Sequence, residues 1–103
     1  MKPQLMAFAL AAASALPAAA QTQDALYVKG LAATCANCHG TDGKAVNGSS
    51  VPALAGMPHA YMVTQLKAFK DGSRPATIMH QLSKGYSEAQ IEQIAAYFAG
   101  QKK

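Results

Sequence analysis

The sequence predicts an all-α fold with three main helices, and three observations predict it. Apolar residues recur at helical spacing in two segments beyond residue 56. Capping residues frame the clearer of the two. No stretch alternates apolar and polar residues in the manner of a half-buried strand. With 103 residues, the chain has room for one small domain.

The first segment reads as a secretory signal. Met1-Lys2 gives a positive end, residues 5–16 are apolar and Ala-rich, and Ala18-Ala19-Ala20 offers small residues for cleavage. The expected domain organisation is therefore a signal peptide over residues 1–20 and a single domain over 21–103, exported to the periplasm. A membrane anchor is the weaker reading, because the apolar stretch is short and Pro17 interrupts it. No stable membrane insertion is expected after cleavage.

The first helix is expected over about residues 24–34, with Asp24 favourably placed in its first turn. Gly30 costs helix stability, so it either admits a close helix crossing or is simply tolerated. Residues 40–56 read as a loop, with Gly40, Gly43, Gly48, Pro52 and Gly56 among polar residues. The second helix should start at Pro58, which suits a first helical position, and end near Lys70 with Asp71-Gly72 as the stop. Met62, Leu66 and Phe69 form its apolar face. Residues 74–86 are expected to be irregular, with at most one short helical turn. In the last helix Ser87 and Gln90 form a capping box, Ile91, Ile94, Ala95 and Phe98 share one face, and Gly100 closes it.

The chemistry is concentrated in Cys35-Ala36-Asn37-Cys38-His39. C-x-x-C-H is the attachment signature of haem c: two thiols form thioethers with the vinyl groups, and the adjacent His reaches the iron. The chain has 2 cysteines, both in this motif, so no disulfide remains to staple a domain of this size. One covalently held porphyrin would supply the missing core. A redox dithiol would want a βαβ setting. A structural zinc would need Cys35, Cys38 and two of His39, His59 and His80, which lack the spacing of a zinc finger.

The opposite face of the iron has five candidate ligands: Met57, Met62, Met79, His59 and His80. Met62 lies on an apolar stripe and suits core packing. Met57 and His59 sit at a helix entry. Met79 and His80 lie in the segment before the last helix, and only one of two neighbouring side chains can face the iron.

Several stretches resemble class I c-type cytochromes: LAATCANCHG at residues 31–40, Pro52-Ala53-Leu54-Ala55-Gly56, Gln65-Leu66, Phe69-Lys70-Asp71-Gly72-Ser73-Arg74, Met79, Ser83-Lys84-Gly85-Tyr86-Ser87 and IEQIAAYFA at 91–99. Within that class the chain is similar to cytochrome c4-like domains and most of all to the haem subunit of flavocytochrome c sulfide dehydrogenase. The resemblance implies a small class I cytochrome c fold wrapped around one haem. It also implies His/Met ligation, which falls on His39 and Met79, and a proline carbonyl holding the proximal histidine, which falls on Pro52. The terminal helices of that fold cross, which makes Gly30 and Tyr97 candidate contacts. Many relatives carry two haem domains, whereas this sequence has one C-x-x-C-H.

These features point to an electron carrier rather than an enzyme. The formal net charge of +4, less Lys2 after cleavage, suits an acidic redox partner. It forms no dense basic stripe for nucleic acid. The 5 scattered acidic residues suggest no catalytic pair. Lys44, Lys67, Lys70 and Lys84 are candidates for docking, with plain solvated surface as their simpler role. The carrier either diffuses freely or serves as the electron-accepting subunit of a sulfide-oxidising flavoprotein. The alternative is a haem enzyme or gas sensor with a labile sixth position.

Overall fold

The computed structural model describes residues 22–103, so the expected signal peptide lies outside the described residues. Five α-helices and one 3-10 turn follow in order. They are α1 (Gln23–Ala33), α2 (Ala36–His39), the turn Thr41–Gly43, α3 (His59–Asp71), α4 (Met79–Lys84) and α5 (Glu88–Ala99). Among the described residues there is no strand, as the absence of alternation predicts.

Helix α5 forms the centre. Its capping box is present in full: the Gln90 amide donates to Ser87 Oγ at 3.1 Å, and Ser87 N–H donates to Gln90 Oε1 at 2.8 Å. Those bonds satisfy two of the N–H groups that a helix start leaves unpaired. The predicted stripe of Ile91, Ile94, Ala95 and Phe98 is 0–2% exposed. It packs with Ala32 from α1 and Met62 and Leu66 from α3 into one cluster. Each of the larger side chains contributes roughly 1.5–3 kcal/mol by leaving water.

Helices α3 and α5 run antiparallel. His59 pairs with Glu92 at 2.9 Å and Lys67 with Glu88 at 3.0 Å, so the start of one helix lies beside the middle of the other. These exposed pairs add little stability, but they record the register. The Glu88 carboxylate, hydrogen-bonded to Lys67, raises the pKa of that lysine.

Three boundaries differ from the sequence reading. Pro58 is the N-cap of α3, with ψ of 133°, rather than its first helical residue. The helix runs one residue past Lys70, to Asp71, and Gly72 follows in the left-handed conformation. Asp71 then accepts from Ser73 N–H at 2.8 Å, and the Ser73 side-chain and backbone hydrogen bonds hold its carboxyl below the usual range. Residues 79–84, expected to hold at most one turn, form the six-residue helix α4. Its N-cap, Ile78, makes no side-chain capping bond, so the start carries no sequence signal, and packing of α4 on α3 holds it in place.

Gly30 is corrected as well. A Cβ at this position would meet nothing within 4 Å, so it does not mediate a close crossing. Helices α1 and α5 do pack together, but α1 turns Ala32 inward, and Gln90 Nε2 donates to Tyr27 Oη across the pair at 2.8 Å. A glycine that packing against α5 does require is Gly43. A Cβ there would lie 2.8 Å from both the Ala55 nitrogen and a Phe98 ring carbon, and its φ is +74°. Two substitutions should therefore move stability in opposite directions. Gly30→Ala is expected to stabilise by about 0.5–1 kcal/mol, and Gly43→Ala to destabilise by more than about 2 kcal/mol, both read from denaturant midpoints.

Candidate functional site

The C-x-x-C-H motif sits on the single turn of α2. Helix α1 ends at its C-cap Thr34, Cys35 is the N-cap of α2, and His39 is its last residue. The two cysteines are not paired in a disulfide, and Cys35 is half-buried while Cys38 is exposed. Gly40 follows with φ of +87°, and a Cβ there would lie 2.1 Å from the Lys44 carbonyl oxygen. The chain can therefore turn sharply straight after His39 only with glycine at this position.

His39 is buried, at 8% exposure. Its Nδ1 lies 2.7 Å from the Pro52 carbonyl oxygen. A carbonyl can only accept, so Nδ1 carries the proton and donates it. In the neutral ring Nε2 is then an unprotonated lone pair, the state a metal ligand needs. The carbonyl that meets His39 in the structure is that of Pro52.

The five candidate ligands of the opposite face lie in different parts of the fold. Met62 is a core residue, 3% exposed. His59 is engaged by Glu92. Met57 and Met79 are both partly buried against the core cluster, as is Cys35. Met79 opens α4 instead of lying in an irregular segment. His80 Nδ1 is buried without a hydrogen-bond partner, as is Ser83 Oγ. Among the described residues no three His, Cys, Asp or Glu side chains gather as a metal site, so the zinc set considered from spacing does not come together.

Contacts that no local pattern announces bind the site to the rest of the fold. Thr34 Oγ1 donates to the Leu31 carbonyl at 2.7 Å, so at 2.7 Å from Tyr86 Oη it must accept. The Tyr86 carbonyl in turn accepts from Lys70 Nζ. Tyr86 therefore joins the ends of α1 and α3 to the turn between α4 and α5. Tyr97, expected opposite Gly30, instead donates to Asp42 Oδ1 at 2.5 Å. That hydrogen bond, then burial, raises the Tyr97 hydroxyl above its ordinary value of 10.0.

The described part of the chain matches the family model for cytochrome c over residues 25–102. The chain belongs to the cytochrome c family. Accordingly it carries covalently bound haem c, and the donor set present suits that group: two cysteines outside any disulfide, flanking one helical turn, and a buried imidazole whose Nδ1 is taken up by Pro52. Among similar proteins, the cytochrome subunit of sulfide dehydrogenase from Chlorobaculum tepidum is 42% identical over 73 residues, covering 71% of this chain and 64% of that one. Cytochrome c4 from Pseudomonas aeruginosa is 39% identical over 79 residues, covering 77% of this chain and 39% of that one. The solved structure of Acidithiobacillus ferrooxidans cytochrome c4 superposes with a TM-score of 0.59 at 38% identity, over 63% of this chain and 37% of that one. The chain thus spans less than two thirds of the length of these relatives. The small class I cytochrome c fold predicted from the sequence is the fold observed. Among the described residues, no helix is long and apolar enough to cross a membrane.

The raised Tyr97 pKa makes a pH-dependent prediction. A folded value above the unfolded one contributes stability that is full below about pH 10 and lost as pH rises through the folded value. Thermal midpoints of this cytochrome should therefore fall in the alkaline range, and Tyr97→Phe should remove the part of that fall due to this hydroxyl.

Proposed function

We propose that this cytochrome is an electron carrier whose iron is held by His39 on one side and Met79 on the other. Cys35 and Cys38 form the thioether links. The reading rests above all on the His39–Pro52 hydrogen bond, which leaves Nε2 as the free ring nitrogen. Haem c supplies an iron that takes up or gives up one electron. The chain's own residues keep that change small. Pro52 fixes the His39 ring and raises its basicity. The Met79 thioether favours the softer ferrous iron and raises the potential. The packed α3, α4 and α5 hold Met79 in place, so a sixth position occupied in both oxidation states is closed to exogenous ligands.

The cellular setting is part of the same proposal. Residues 1–20 act as a secretory signal, which leaves residues 21–103 as a single monohaem domain in the periplasm. The electron source is a flavoprotein that oxidises sulfide, with this chain as its accepting subunit. Support for that partner comes from the sequence stretches shared with such haem subunits, and one relative bears that name. A freely diffusing carrier is the other form of the same activity.

The ferrous parent protein should not bind carbon monoxide at neutral pH, whereas ferrous Met79→Ala should bind it fully and show a lower reduction potential. Rapid binding by the parent would rule out Met79 as ligand. For the partner, affinity purification of the exported chain from its native cell should co-isolate a flavin-containing subunit. Recovery of the cytochrome alone at micromolar concentration favours the free carrier.

A further inference from the structure

Two adjacent residues of α5 grip both ends of one loop. Tyr97 donates through its hydroxyl to Asp42 at 2.5 Å, on the turn that follows His39. Phe98 accepts through its carbonyl from Gly56 N–H at 2.9 Å, at the far end of the loop. The Phe98 side chain, 1% exposed, fills the space beside Gly43, and the two aromatic rings meet edge to face at 5.3 Å. Inside the loop, the Gly43 carbonyl accepts from Leu54 N–H at 2.8 Å and from Ala55 N–H at 3.1 Å. Those two residues come directly after the Pro52-Ala53 pair, so the backbone next to Pro52 hangs from Gly43. Asp42 itself is held at φ of +54°, a conformation uncommon outside glycine. A charge-assisted hydrogen bond to Tyr97 offsets that strain.

We propose that Tyr97 and Asp42 are a positioning pair for the histidine side of the haem site. By fixing the Thr41–Gly43 turn on α5, they set where the Pro52 carbonyl meets His39 Nδ1. The inference rests on the reading that His39 binds the iron. Neither residue touches His39. Their effect passes from Asp42 to Gly43, from the Gly43 carbonyl to Leu54 and Ala55, and from there to Pro52. A looser carbonyl makes the imidazole a weaker electron donor. That stabilises the ferric state less and moves the potential upward.

The test compares haem-loaded parent, Tyr97→Phe and Asp42→Asn. Tyr97→Phe keeps the ring and its edge contact with Phe98 and removes only the hydroxyl. Asp42→Asn keeps a side-chain oxygen that accepts from Tyr97. Proton NMR reads exchange of the His39 Nδ1 proton with solvent, and voltammetry reads the potential. In Tyr97→Phe, exchange should speed up about tenfold, the effect of weakening local protection by one hydrogen bond, and the potential should rise. Asp42→Asn, which keeps the acceptor but loses the charge, should fall between the parent and Tyr97→Phe in both. If Tyr97→Phe lowers only the thermal midpoint, with exchange and potential unchanged, the pair packs the helix and does not position His39. If the His39 ring of the ferric parent shows no paramagnetic shift, His39 is not the ligand, and the ligation reading fails together with the inference built on it.

Discussion

The hydrogen bond from His39 to the Pro52 carbonyl joins a helical turn to a loop with almost no regular structure of its own. Fixing a tautomer requires an acceptor that stays where it is, and a loop of this length does not stay put unaided. The stiffness is borrowed from α5. Tyr97 holds one end of the loop, the Phe98 carbonyl holds the other, and Gly43 lets the backbone lie directly against the Phe98 ring. The buried stripe of α5 and the orientation of the imidazole are therefore two results of the same packing.

The opposite side of the domain is tied by another tyrosine. Tyr86 donates a hydrogen bond through its hydroxyl to Thr34 Oγ1, beside Cys35, and its carbonyl accepts one from Lys70 Nζ. Lys70 is in this way a structural cation, and Lys67 is engaged by Glu88. Two of the four lysines that the sequence groups as docking candidates thus have partners within the fold. Lys44 and Lys84 are exposed.

What was legible in the sequence followed local rules. The capping box, the four-residue stripe of α5, the Gly72 stop and the C-x-x-C-H turn all depend on residues within a few positions of one another. The family resemblance added Pro52, a pairing over 13 residues. Helix α4 was underestimated because Pro75 and Gly85 bracket its segment and its N-cap carries no capping side chain, so tertiary packing decides its existence. Gly30 leaves a close crossing and simple tolerance equally open in the sequence, because a helical glycine looks the same whether or not a neighbour lies against it, and the structure shows tolerance. The Tyr97–Asp42 and Tyr86–Thr34 bonds had no signal at all. Each joins two ordinary polar side chains through geometry that no spacing encodes.

Those unannounced bonds have an entropic consequence. Thr34 and Tyr86 are 52 residues apart, Asp42 and Tyr97 55, and Tyr27 and Gln90 63. Each closes a loop that takes in most of the domain, and the ordering penalty of such a closure comes before the long-range contact itself offsets it. The contacts that join α1 to α5 and those that brace the loop beside His39 both run through α5. The attachment motif is finished in the sequence at residue 39, but its histidine is held in place only once residue 98 has arrived.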